Sequence, residues 1–320
     1  MTVLEAPRLE GIREAQSATR DAVVRTPLVP LNVLESPAHI ALKLENLQPI
    51  GSFKIRAAAF AMSKIAEEQL SDGVLTASAG NMGQAVAWEA RRRGIPCTVV
   101  VPDTAPQRKL DGMRQLGARI ISVSFDEWWA TLESRSREGI KASFIHPFDD
   151  SNVVAADGTI GLEIVDEMPD VEAILVPWGG GGLSTGIAAA VKSVKPTCRV
   201  FAVEVEGAAP LSASLAAGKP VAIDYRPSFI DGIGSKTVFP NMLELAQQLL
   251  GGSLLTSVEE TARSVRLLME RNRIVAEGAG AAPVAVALSG MVPAKRIVCV
   301  VSGGNIDAHK LVAILEGKVP

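Results

Sequence analysis

Seven short apolar runs punctuate the chain: IALKLE, VLTAS, CTVVVP, ARIISVS, AILVPW, RVFAVEVE and RIVCVVSG. They are rich in Val and Ile on both faces, which predicts strands buried on both sides rather than half-wetted ones. Stretches of helical composition lie between them, such as GQAVAWEARRRG and LSTGIAAAVKSVK. Strand and helix in alternation predict an α/β fold with parallel sheets flanked by helices. The closely spaced runs from Val74 to Ile121 predict a small α/β unit, and IHPFDD around His146 returns the chain to a larger body. The expected division is a large domain of residues 1–70 and 150–320 and a small one of residues 71–149. Ligands of such sheets bind beyond the C-terminal strand ends, so the chemistry is expected in the segments that follow strands.

Composition narrows the class. The chain has 320 residues, 48% of them hydrophobic, ample for a large core, and its length suggests two domains or one big one. A net charge of −3 and the lack of a basic stripe argue against a nucleic-acid partner. Arg91, Arg92 and Arg93 are expected at the end of a helix, where cations are favoured. No apolar run approaches the roughly 18 residues of a membrane helix, and MTVLEAPRLEGIREAQ resembles neither a signal nor a transit peptide. Cys97, Cys198 and Cys299 are widely spaced in apolar settings, which predicts buried free thiols and a cytoplasmic protein.

Four motifs carry candidate chemistry. In AILVPWGGGGLSTGIAAAVK, a strand leads through Gly179, Gly180, Gly181 and Gly182 into a helix. Glycines let consecutive backbone N–H groups face one point, and the helix N-terminus adds a positive dipole end, which together suit a phosphate. The GxGxxG spacing of dinucleotide sites fails in every register, since from Gly181 the middle glycine position is Leu183. A P-loop fails too, because Gly234-Ser235-Lys236-Thr237 has an intervening serine. Glu204, at the end of the next strand, mimics a ribose-binding acid and keeps a nucleotide-dependent oxidoreductase open as the reading from a different class. A monophosphate cofactor fits the loop better.

TASAGNMGQAVA places Ser78, Ala79, Gly80, Asn81, Met82 and Gln84 at a strand-to-helix turn, suited to a carboxylate or to an ordinary capped helix start. VCVVSGGN delivers Ser302 to a strand end, where a hydroxyl can bond a ring nitrogen, or where the glycines simply turn. In GSFKIRAAAF, Lys54 follows Phe53. It is either a solvated helix lysine or, if buried and deprotonated, an amine able to attack a carbonyl.

Taken in order, GSFKIRAA, SAGNMGQA, GGGGLSTG, VEVEGAAP, EGAGAA and SGGN resemble the loops of the fold-type II pyridoxal-phosphate enzymes. Within them the chain is most similar to the threonine/serine dehydratases (ammonia-lyases), relatives of the serine racemases, from TPLVPLN to SGGN. The resemblance implies a tryptophan synthase β-like fold of two domains with parallel-rich twisted sheets, pyridoxal 5'-phosphate as cofactor, a small amino acid as substrate, and a homodimer. It makes Lys54 the Schiff-base lysine, with Phe53 packed on the ring and Asn81 on the ring hydroxyl. Gly179 to Gly182 with Leu183 would hold the phosphate, and Ser302 would face the pyridine nitrogen. Ser78, Ala79, Gly80, Asn81 and Gln84 would surround the substrate carboxylate. Gly232 and Glu277 would lie near the ring.

A serine opposite the ring nitrogen makes a weaker electron sink than a carboxylate would, which suits elimination of a β leaving group. The implied reaction is loss of the β-hydroxyl from L-threonine or L-serine, giving a 2-keto acid and ammonia. Departures refine this. Ala79 stands where the racemases carry a second hydroxyl, so dehydration is expected to dominate over racemisation. Met82 replaces a common histidine and Trp178 a common valine; they either border the site, admitting a bulkier β-hydroxy amino acid such as a phenylserine, or simply pack. Hydroxyaspartate is a further substrate alternative. The cation site of some relatives maps to Glu204, Ala208 and Pro210; proline has no carboxylate, so the site is expected to be incomplete, weak or absent, with Glu204 and Ala208 its remaining candidate ligands. β-Replacement enzymes share the fold but differ from GGGGL and SAGN in their loops. The chain ends 15 residues after Asn305, so feedback regulation through an appended domain is not expected.

Overall fold

In the computed structural model, which describes residues 4–105 and 107–320, each of the seven apolar runs contains a strand. The ten strands are β1 (Leu28–Pro30), β2 (His39–Leu44), β3 (Val74–Ala77), β4 (Cys97–Pro102), β5 (Arg119–Val123), β6 (Ser143–Phe144), β7 (Ala173–Pro177), β8 (Arg199–Val205), β9 (Ser253–Thr256) and β10 (Arg296–Val301). They form a six-stranded sheet, β1-β2-β10-β7-β8-β9, and a four-stranded sheet, β5-β4-β3-β6. Every pairing is parallel except β1 with β2.

The apolar pattern does not predict β1, β6 and β9. All three are short edge strands, with one neighbour each and little need of a two-faced apolar run. β1 also ends in Pro30, a residue confined to sheet edges.

The alternation along the central strands shows how the large sheet buries both faces. Ile297, Cys299 and Val301 of β10 pack with Val265, Ala282 and Val286 from the helices Val258–Leu267 and Gly278–Leu288. Val298 and Val300 point the other way, against Ile160, Ile164, Leu183 and Ile187 of the helices Ser151–Glu167 and Gly182–Val194. In the small sheet, Val74, Val99 and Val101 meet Ala85, Val86 and Ala90 of the helix Asn81–Arg93. That core extends to Ala57, Ala58 and Met62 of the helix Lys54–Ser63. The opposite side, through Leu75, Ala77 and Val100, packs with Leu132, Trp178 and Phe239.

The arginine cluster occupies the last turn of Asn81–Arg93, closed by Gly94 in the left-handed conformation. Arg92 and Arg93 both bond the buried carboxylate of Glu89. All three cysteines are buried and free, and burial pushes the Cys97 thiol up to about 12. Among the described residues no helix is long and apolar enough to cross a membrane.

One buried feature fixes the start of the helix Lys54–Ser63. Arg56 is bonded by both oxygens of Glu45, at 2.8 and 2.8 Å, and by both oxygens of Glu163, at 2.7 and 3.0 Å. Lys43 adds a contact of 2.8 Å to Glu163. The guanidinium fork satisfies two carboxylates at once, as ammonium cannot. It pins this helix to the turn after β2 and to the helix Ser151–Glu167, two residues beyond Lys54.

Candidate active site

Three parallel strands end around one cavity of ≈ 750 Å³. β3 delivers Ser78, Ala79, Gly80, Asn81 and Met82; β7 delivers Trp178 and Gly179 to Leu183; β10 delivers Ser302. Phe53, Lys54, Gly232 and Glu277 complete the set that the motifs pointed to. Gln84, Glu204 and Ala208 do not line the cavity.

The four-glycine loop is a cradle that side chains would fill. A Cβ on Gly180 would stand 2.1 Å from the Phe148 ring. Gly181 adopts φ +97°, with the Trp178 indole 2.4 Å from where its Cβ would be. Glycine alone satisfies both constraints, the one steric and the other conformational. The loop runs directly into the helix Gly182–Val194, whose first N–H groups have no intrahelical partner. This cradle fits a phosphate group.

Lys54 opens its helix with the side chain half-buried. Its Nζ donates to the Pro147 carbonyl and lies 4.8 Å from the centroid of the Phe53 ring. Burial pulls the amine below the ordinary lysine range, opposed by the charge of Asp157. That is the direction a carbonyl-attacking or proton-accepting amine requires.

Asp157 was not among the residues marked from sequence. It comes from the helix Ser151–Glu167, is fully buried, and neither carboxylate oxygen has a hydrogen-bond partner. Burial pushes it up to about 7, against the pull of Lys54 and Arg56. Oδ2 lies 3.3 Å from the Cβ position of Gly182, beneath the phosphate cradle. Its sequence signal is a lone acid in the small-residue helix VVAADGTIG.

A second polar group ties the loops together. Asn81 donates to Glu277 Oε1 at 2.8 Å, and Asn305 Nδ2 donates to Asn81 Oδ1 at 2.8 Å. Gln84 joins from behind, accepting from Asn305 at 3.4 Å. Burial, with Asp231 adding and Asn81 opposing, raises Glu277 to about 7. The Ser302 carbonyl accepts from the Phe53 N–H at 3.0 Å, joining the end of β10 to the lysine turn. Asn305 was legible as part of SGGN, but its bridging role was not.

Met82 and Trp178 both line the cavity and both are core residues, 2% and 1% exposed. Glu204 is buried and committed: Leu211 N, Ser212 N, Ser212 Oγ and Ser253 Oγ all donate to it at 2.8 Å, capping the helix Pro210–Ala217. Among the described residues no cluster of three or more His, Cys, Asp or Glu could hold a metal. Phe125, Trp128, Trp129, Tyr225 and Phe239 also face the cavity, an aromatic wall that the motifs did not indicate.

The family model described as pyridoxal-phosphate dependent enzyme matches residues 19–303. The chain belongs to this family. It is 41% identical over 314 residues to the L-threonine ammonia-lyase of Thermotoga maritima, covering 96% of this chain and 78% of that one. The structure of threonine deaminase isoform 2 from Solanum lycopersicum superposes with a TM-score of 0.89 at 30% identity, over 99% of this chain and 91% of that chain. Maize serine racemase gives 0.90 at 30% identity, over 98% of both. The nucleotide-dependent oxidoreductase reading is thereby set aside. Pyridoxal 5'-phosphate is the cofactor of this family, and the cradle and lysine offer its phosphate and its carbonyl what each needs.

Proposed function

We propose that the protein removes ammonia from a β-hydroxy amino acid of the L-threonine or L-serine type, through loss of the β-hydroxyl as water and uptake of one water, leaving a 2-keto acid. The observation that carries this is one cavity holding both a lysine of depressed basicity and an anion cradle, with the loop after β3 across from them. The ammonia-lyase relative at 41% identity supports the same reaction class.

Bound in the cradle, pyridoxal phosphate supplies an electron sink for bond breaking at Cα. The chain supplies the rest. Gly179 to Gly182 and Leu183 hold the phosphate through backbone N–H groups and the helix dipole. Phe53 would pack on the ring, and Gly232 would lie near it. Asn81, Glu277 and Asn305 brace the loops around the cavity, and Ser302 would offer a neutral hydroxyl to the ring nitrogen. Ser78, Ala79, Gly80 and Asn81 receive the substrate carboxylate on backbone and side-chain donors. Lys54 anchors the cofactor, then accepts the Cα proton. The Pro147 carbonyl holds its Nζ in place, and desolvation favours the neutral amine, the form that accepts a proton. Ala79 presents no group that exchanges protons, so proton transfer is confined to the Lys54 face and elimination outruns racemisation. In balance, the Cα–H and Cβ–O bonds break, one water leaves, and one is taken up as the product imine hydrolyses to keto acid and ammonia.

The same proposal includes the division into residues 1–70 with 150–320 and residues 71–149, supported by the two separate sheets. It also includes a homodimer, which sedimentation tests, and a cytoplasmic location, supported by three buried free thiols. The test of the reaction is incubation of holoenzyme with L-threonine or L-serine. Keto acid and ammonia are expected in equal amounts, with D-serine a minor product. D-serine forming as fast as pyruvate would overturn the elimination reading in favour of a racemase.

A further inference from the structure

Eight of the chain's 13 aromatic residues line this one cavity. Three of them serve the cofactor end: Phe53 beside Lys54, and Phe148 and Trp178 behind the glycine loop. The other five line the same cavity, four of them in a run of ring contacts that joins Phe148 through Phe239 at 5.1 Å. Phe125 and Trp129 stack with centroids 6.3 Å apart, Trp128 sits 5.5 Å from Phe125, and Trp129 meets Phe239 at 5.5 Å. Leu132 and Val238 fill between them, and Tyr225 lies on the same lining.

Core filling accounts for part of this wall, because Trp129 and Phe239 also bridge the two sheets' packing. Trp128 packs against the same core, but core filling leaves two features over. Phe125 is 46% exposed yet faces the cavity, and Trp128 carries a buried indole N–H with no partner. A ring face can satisfy such an N–H, and aromatic side chains prefer tilted or offset aromatic neighbours. Threonine, by contrast, projects a single methyl beyond Cβ and touches little of such a wall. Helix Phe125–Ser134, which carries both tryptophans, packs on β3 and β4, and β3 leads into the Ser78 to Asn81 loop. A substrate held there by its carboxylate has the wall within the same chamber as its β-substituent.

We propose that the wall is a subsite for an aryl or comparably large apolar β-substituent, so that the preferred substrates are β-aryl-β-hydroxy amino acids of the phenylserine class. This rests on the elimination chemistry proposed above and specifies its substrate. The balance is unchanged: the Cα–H and Cβ–O bonds of phenylserine break, water leaves and is taken up again, and phenylpyruvate and ammonia result.

The test is a panel of L-threo-phenylserine, L-threonine and L-serine with holoenzyme, read as 2-keto acid. Apolar side-chain contacts discriminate by about 10- to 200-fold per methylene-sized difference, so kcat/KM for phenylserine is expected to exceed that for threonine at least ~10-fold. Trp129→Leu and Phe125→Ala, two separate variants, are each expected to lower the phenylserine value ~10-fold or more while moving threonine less than ~3-fold. A readout independent of turnover is quenching of tryptophan fluorescence by L-phenylalanine, since Trp128, Trp129 and Trp178 line the chamber. Quenching is expected in the wild-type protein and weaker in Phe125→Ala. Threonine turned over more efficiently than phenylserine would overturn the subsite and leave the elimination reading intact. No keto acid from any of the three would overturn both.

Discussion

Asp157→Asn isolates a buried carboxyl that the fold leaves without a hydrogen-bond partner. The carboxylate is fully buried, neither oxygen is hydrogen-bonded, and burial raises it to about 7. An unfolded aspartate titrates near 3.9. A carboxyl raised in the folded state favours the fold when protonated, so its contribution is fully present below about pH 3.9 and lost as pH rises through about 7. A shift of about 3 units corresponds to a total swing of about 4 kcal/mol at ~1.4 kcal/mol per unit. The asparagine variant keeps the shape and does not titrate. Its stability relative to the parent should therefore grow by about 3 kcal/mol between pH 5 and pH 8. The assay is urea unfolding of both proteins without cofactor, followed by circular dichroism across that range. A stability difference that stays flat within about 0.5 kcal/mol would show that Asp157 is ionised in the fold throughout, and that the reasoning from its burial is wrong.

Other perturbations test neighbouring parts. Gly180→Ala puts a methyl 2.1 Å from the Phe148 ring, so cofactor affinity measured by equilibrium dialysis should fall at least ~10-fold with the far-ultraviolet spectrum unchanged. Arg56→Ala strands the carboxylates of Glu45 and Glu163 in the interior, and urea unfolding should register a loss of about 3–5 kcal/mol. Ala79→Ser puts a hydroxyl into the loop that lines the cavity with Lys54, and the ratio of D-serine to pyruvate formed from L-serine should rise several-fold, by chiral chromatography.

The central strands and the motif loops were legible because one physical constraint wrote each of them. Val and Ile on both faces mark β7, β8 and β10, whose two sides are both covered. Glycines where a Cβ would strike Phe148 or Trp178 mark the cradle. The edge strands carry no comparable mark, since one neighbour and a few residues suffice. Asp157 and Arg56 were missed because their meaning is pairwise. Arg56 reads as a helix-surface cation until Glu45 and Glu163 converge on it, and Asp157 as an ordinary helix acid until the chain around it is closed. Glu204 shows the reverse: its strand-end position suggested a ligand, and the amides and hydroxyls of Leu211, Ser212 and Ser253 absorb it. The aromatic wall was hidden for a similar reason. FDEWW has the composition of a packed helix, and only the folded chain puts its rings on the same cavity as the Ser78 loop.

Lys54 bears the central claim, and Lys54→Ala with L-threonine tests it most directly. The wild-type holoenzyme should show the near-violet absorbance of lysine-bound cofactor and release 2-ketobutyrate. The variant should stay folded by circular dichroism, lack that absorbance, and lose activity by at least ~1,000-fold. A folded variant that keeps the absorbance, or turns over threonine within about tenfold of wild type, would contradict the assignment of Lys54 as both anchor and proton carrier.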